Sequence, residues 1–174
     1  MADKDNSGAW QMVWSDNKEL FVKMTLNEWN GRLQQADKLF ASLNDEQLQG
    51  EVSPGRNRGI YLLGHLVAVH DRMIALLGLG ERQYASLDDA FIENPDKAIT
   101  DLPTAAELKA DWTKVSSTLA GYFSGLSADD WFKKHTAVSE EDFAREPHRN
   151  RLNVLISRTS HLSYHLGQMV LLKK

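Results

Sequence analysis

Ile60-Tyr61-Leu62-Leu63-Gly64-His65-Leu66-Val67-Ala68-Val69 is the most apolar stretch of the chain, and its surroundings decide the fold. Extended to about Arg58 and Leu77, the segment is apolar nearly all round. It stops at Gly78 and Gly80, residues that tolerate the positive φ of a helix end. A helix with no polar face is buried on two sides, inside a bundle or also against a second subunit. The stretch is interrupted by His65 and is too short to span a bilayer.

Three other segments carry helical periodicity and none shows sustained strand-type alternation, so the expected class is all-α, a four-helix bundle. The first helix runs from about Asp16 to Leu43, with Leu20, Met24, Leu33, Ala36 and Phe40 near one stripe and Trp29 at its edge. Asn44 to Asn57, containing Ser53-Pro54-Gly55, reads as its turn. After the apolar second helix, Gly80 to Pro103 forms a connection long for a bundle, with a turn or two of helix over Leu87 to Ile92. The third helix opens at Thr104, whose hydroxyl caps free N–H groups while Glu107 reaches back, and its stripe is Leu108, Trp112, Val115, Leu119 and Phe123. Ser127 to Trp131 is a short capped turn, Phe132 to Arg149 a charged connection, and the fourth helix runs from about Asn150 to Leu172. We expect a single domain over residues 1–174, with residues 1–15 as an N-terminal extension.

The chain has 174 residues, 42% hydrophobic and 25% charged, and it needs no disulfide or metal merely to stay folded. It contains no cysteine, which excludes disulfide frameworks, iron-sulfur clusters, Cys-rich zinc sites and any protein-borne thiol nucleophile. Histidine and carboxylate chemistry remain. A net charge of -4 and a pI near 5.8 argue against nucleic acid and anionic membrane surfaces as partners, since both need a basic patch. Met1 to Gly8 is polar and acidic, unlike a signal peptide, and the expected location is the cytoplasm.

Six histidines are present, at 65, 70, 135, 148, 161 and 165. His161 and His165 are four residues apart, so their side chains lie roughly 6 Å apart along the fourth helix on nearly one face, and two imidazoles so placed can reach one metal ion. His65, on a core stripe, needs a partner; the alternatives are a metal, or a backbone carbonyl or Tyr as for any buried histidine. Axial levels favour a shared site. His65 lies about eight residues after the start of its helix, and the pair about nine residues before the end of the fourth, so antiparallel packing brings them level. That requires an up-down-down-up order with a long crossover between helices two and three, which Gly80 to Pro103 can supply.

Gly64-His65-Leu66 after an apolar run, followed near the C-terminus by His161-Leu162-Ser163-Tyr164-His165-Leu166-Gly167-Gln168, resembles the DinB/YfiT-like superfamily of metalloenzymes from Asp16 to Lys174. The resemblance implies a four-helix bundle of up-down-down-up topology, frequently a homodimer, and a divalent metal, often zinc or nickel, held by His65, His161 and His165. It also implies an enzyme acting on a low-molecular-weight thiol, because characterised members are thiol-S-transferases or isomerases; a metal-assisted hydrolase is a related expectation. A metal-binding dimeric bundle without turnover, serving in stress response or as an interaction module, is the alternative.

Three neutral imidazoles leave a divalent ion its full charge and an open position, as in catalytic zinc sites. Gln168 and Tyr164 share the neighbourhood of the pair and are the candidate catalytic residues, Gln168 to orient a ligand and Tyr164 to donate a hydrogen bond. Arg158 and Arg72 lie one or two turns from the histidines on related faces and are candidates to receive an anionic substrate. His70 falls on a different face from His65, and His135 and His148 lie in connections, where surface positions are expected. No histidine follows a Glu or Asp by three residues and no His-Glu pair exists, so di-iron carboxylate and HExxH sites are excluded.

Overall fold

The computed structural model describes the backbone of residues 7–173 and the side chains of residues 17–173. Seven α-helices follow in chain order: α1 (Ser7–Ser42), α2 (Asp45–Gln49), α3 (Gly59–Leu76), α4 (Ala105–Ser124), α5 (Ala128–Trp131), α6 (Glu140–Arg145) and α7 (Arg151–Met169). The described residues contain no strand, only two isolated bridges, Glu51 with Arg58 and Lys134 with Asn150. The class is therefore all-α. Helix starts follow the capping chemistry: Thr104 with Glu107 and Ser127 with Asp130 form reciprocal capping boxes, and Asn150 accepts from the Asn153 N–H.

Three boundaries differ from expectation. α1 begins at Ser7 rather than near Asp16, so it runs through most of the supposed extension 1–15, whose first six residues lie outside the described ones. The Asn44 turn contains α2, capped by Asn44 and Gln47. The charged connection contains α6, whose Ser139 cap accepts from the Asp142 N–H.

The α1 stripe also needs correcting. Leu20 and Met24 are 55% and 58% exposed, and the inward face is Val22, Leu26, Trp29, Leu33, Ala36, Phe40 and Leu43. The inward set keeps one unbroken alternation of four- and three-residue steps from Val22 to Leu43, whereas Leu20 and Met24 are out of phase with it. The other helices meet expectation: α4 buries Leu108, Trp112, Val115, Leu119 and Phe123.

α1 packs along α7, and α3 along α4. Contacts at the helix ends fix their levels. Leu172, just past α7, lies against Gly59 at the start of α3, while Arg151, the first residue of α7, lies beside Gly78 just past the end of α3. Tyr122 near the end of α4 lies against Gly80, and Lys109 near its start donates to the Leu43 carbonyl at 2.7 Å.

α3 has the length and composition of a membrane-crossing helix, contrary to the reading of its apolar stretch as too short, but 78% of it is buried inside the bundle. That burial accounts for its composition, because a helix enclosed on all sides has no polar face to present. The crossover between α3 and α4 is pinned along α3. Asp96 accepts from the Arg58 N–H and guanidinium, both at 2.7 Å, at the start of α3. At its end the buried Asp71 accepts from Arg82 Nε at 2.9 Å and the Gln83 N–H at 2.7 Å. Between these pins, a 3-10 turn (Ala85–Leu87) and a π-type turn (Asp89–Glu93) lie against α3 and bury Phe91 completely.

Candidate metal centre

His65 projects from the middle of α3, next to the point where the crossover presses closely on the helix backbone at Gly64. Gly64 makes that contact possible: a Cβ there would lie 2.3 Å from Phe91 Cε1. With the ring seated, the Phe91 carbonyl comes 2.8 Å from His65 Nδ1. A carbonyl only accepts, so the ring proton sits on Nδ1 and His65 Nε2 carries a lone pair. His165 is set the same way, its Nδ1 donating to Gln168 Oε1 at 2.8 Å one turn further along α7. The Gln168 amide faces this way because its Nε2 donates to the Tyr164 hydroxyl at 3.2 Å.

The two oriented Nε2 atoms converge on a third. His161 Nε2 lies 3.2 Å from His65 Nε2 and 3.1 Å from His165 Nε2, and the ligand atoms of all three residues fall within 4.8 Å of one another. Nitrogens placed about 2.0–2.1 Å from a tetrahedral ion would be roughly 3.3–3.4 Å apart, so the spacing suits a small divalent ion. Nitrogen lone pairs turned toward each other repel, and only a shared proton or a cation between them relieves this. The donor set and the acceptors behind two of its rings are those of a histidine metal site. The cluster could hold a metal ion.

Electrostatics keep the cluster neutral. Burial, then the His165 and His65 rings and the Arg158 charge, push His161 down to about 4. Burial also lowers His65, against the opposing effect of its bond to the Phe91 carbonyl, and lowers His165, against that of its bond to Gln168. All three rings therefore present lone pairs at neutral pH without first losing a proton. His161 Nδ1 is enclosed and has no hydrogen-bond partner among the described residues.

Gln168 orients a candidate ligand, His165, and Tyr164 is 64% exposed, its ring centroid 5.1 Å from that of His165. Arg72 is paired with Asp88 at 2.8 Å, whereas Arg158 is half-buried and makes no ion pair among the described residues. His70 stays out of the cluster, fully buried between Trp29 and Trp112, with its Nδ1 donating to the Leu66 carbonyl at 2.7 Å. His148 is exposed as expected, but His135 is partly buried with an enclosed Nδ1. The residue missed from sequence is Phe91, which acts through its backbone; its only signal was the glycine immediately before His65.

No curated protein is significantly similar to the chain. The sequence model of the DinB superfamily matches residues 28–169, from the inward half of α1 to the last residue of α7 and across all three clustered histidines, and the chain belongs to that superfamily.

Proposed function

We propose that His65, His161 and His165 bind a divalent metal ion, zinc or nickel, and that the protein is a metal-dependent enzyme acting on an external low-molecular-weight thiol, of thiol-S-transferase type. One observation carries this reading: two of the three rings have their protons fixed on Nδ1 by oxygen acceptors, which leaves Nε2 lone pairs aimed at the third ring. A divalent ion on three neutral imidazoles keeps its charge and an open position, so it can hold a thiol as thiolate for attack on an electrophile. The chain contributes no thiol of its own, so the reacting sulfur comes with the cosubstrate. Gln168 holds the His165 ring, and Tyr164 holds the Gln168 amide.

The end contacts of α3 with α7, and of α4 with α1 and α3, support an up-down-down-up order as part of the same reading. A second copy of the chain is the proposed partner. Phe21 and Met24 on α1 and Ile156 on α7 are exposed and border an open groove of about 530 Å³ between the two helices, and the exposed Leu20 borders an adjoining groove with Phe21, Met24 and Phe132. The acidic net charge supports a cytoplasmic setting without membrane or nucleic-acid partners.

The test is metal analysis of untagged protein after zinc or nickel loading, followed by incubation with a panel of low-molecular-weight thiols and monochlorobimane. We expect one equivalent of metal, lost in His161→Ala, and metal-dependent conjugation. Absence of bound metal in the wild type sinks the ligand assignment, and metal without conjugation for any thiol favours the non-catalytic alternative.

A further inference from the structure

We infer that Arg158 is the receptor for a carboxylate of the small molecule that enters the histidine cluster, so that the substrate class is a thiol carrying a carboxylate; this rests on the metal and thiol reading above. Arg158 precedes His161 by three residues and His165 by seven, so the three share one face of α7, with Arg158 one turn closer to the helix start. Its Nε is enclosed, and the guanidinium makes no hydrogen bond or ion pair among the described residues. Burying part of a charged group without a partner costs free energy that an anion would offset. The neighbouring cation does not help: burial and the Arg72 charge both push the Arg158 pKa down.

No carboxylate among the described residues pairs with Arg158. Asp88 and Glu93 lie against Arg72, and Asp88 is already engaged by Arg72 at 2.8 Å and by Arg82 at 2.6 and 2.7 Å. Arg72 lies seven residues beyond His65, toward the end of α3, and that end meets the start of α7 through Gly78 and Arg151. The two arginines therefore sit on the same side of the cluster. Uncharged Tyr61 and Gln168 flank it elsewhere, Tyr61 stacked against His65 at 6.4 Å. Arg72 has Asp88 at 2.8 Å and Glu93 at 3.9 Å, whereas Arg158 has no such partner among the described residues. The planar guanidinium fork suits bidentate capture of a carboxylate.

The test labels the arginine side chains of the full chain with 15N and assigns the Arg158 Nε–H signal by comparison with Arg158→Lys. The zinc-loaded protein is titrated with 3-mercaptopropionate and with 3-mercapto-1-propanol. The acid should bind at least tenfold tighter and shift the Arg158 signal saturably, and Arg158→Met, checked for fold by circular dichroism, should bind the two thiols equally. Equal affinity in the wild type, or a preference that survives in Arg158→Met, overturns the assignment. If neither thiol binds, the thiol reading fails on its own, and propionate titrated onto metal-free protein decides Arg158. A saturable shift of its signal then supports carboxylate capture, and an unmoved signal overturns it.

Discussion

Gly64→Ala tests whether the crossover is part of the site. A Cβ at this position would lie 2.3 Å from Phe91 Cε1 and 2.5 Å from both Cδ1 and Cζ. Ordinary carbon contacts are about 3.5–4.0 Å, so the ring must retreat by roughly an ångström or more. It has little room to go, because Phe91 is fully buried and also packs against Tyr61, with ring centroids 5.9 Å apart. Overpacking of this kind costs up to about 3 kcal/mol, while replacing a mid-helix glycine with alanine returns about 1 kcal/mol. We therefore expect a net loss of about 2 kcal/mol, or roughly 4–8 °C in melting temperature for a chain of this size. A displaced ring also takes the Phe91 carbonyl with it, so His65 loses the acceptor that orients it. Loss of such a partner weakens metal binding by roughly 10–100-fold. Urea unfolding of metal-free protein reads the first effect, and zinc competition with a chelator of known affinity reads the second. Gly121→Ala is the control: nothing lies within 4 Å of its Cβ position, so it should stabilise by up to about 1 kcal/mol and leave zinc affinity unchanged. A Gly64→Ala protein as stable as the wild type, binding zinc equally well, would refute the reasoning.

Burial holds His70 down to about 3 in the folded protein, against the ordinary histidine value of 6.5. The unfolded chain therefore takes up the proton first, and His70 contributes stability that is present above about pH 6.5 and lost as pH falls toward 3. At pH 4.5 the loss is about 3 kcal/mol; urea midpoints of metal-free wild type should drop with acid more steeply than those of His70→Phe, and parallel curves would contradict this. The clustered histidines are also held low, His161 at about 4, so zinc displaces few protons at neutral pH. Zinc affinity should be nearly flat from pH 8 to 7 and fall steeply as pH drops toward 4, and a steady decline between pH 8 and 7 in a chelator competition would count against it. Gln168→Ala removes the acceptor at His165 Nδ1 and should weaken zinc about tenfold with little change in melting temperature, whereas unchanged affinity would mean that His165 needs no outer partner.

What could be read from the sequence was what is local or periodic. The Thr104 and Ser127 caps, the α4 stripe, the His161/His165 spacing and the shared level of His65 all follow from residue spacing along a helix. The errors have equally physical sources. α1 carries apolar residues on two faces, and Leu20 and Met24 were grouped with the wrong one because the step from Met24 to Leu33 hid the change of phase. α6 went unread although Ser139 and Asp142 have cap spacing, because no apolar stripe follows them. The acceptor on His65 is a backbone carbonyl 26 residues away, and a carbonyl leaves no mark in residue type. Only the missing side chain at Gly64 records it.

The length of the crossover takes on a different meaning once its anchors are placed. In the proposed up-down-down-up order the connection from α3 to α4 has to travel the length of the bundle, and a slack loop would do that. This one is fixed at three levels of α3: Asp96 on Arg58 at the start, Phe91 on Gly64 at the middle, and Arg82 with Gln83 on Asp71 near the end. The two outer anchors are charged and hydrogen-bonded, which resists sliding of the segment between them, and the middle one is an aromatic ring with little space to move. The carbonyl that orients His65 lies at the middle anchor, where displacement is smallest. His161 and His165 need no such device, because one helix already fixes their spacing and a residue one turn away can hold a ring. The site thus combines a rigid pair on α7 with a single histidine on α3, whose rotation is governed by how firmly the crossover is pinned. The same pinning explains the free charge beside the cluster. Asp88 is taken up by Arg72 and Arg82 in holding the crossover, and Arg158 has no carboxylate partner among the described residues, which is what would leave its charge available to an anion entering beside the histidines.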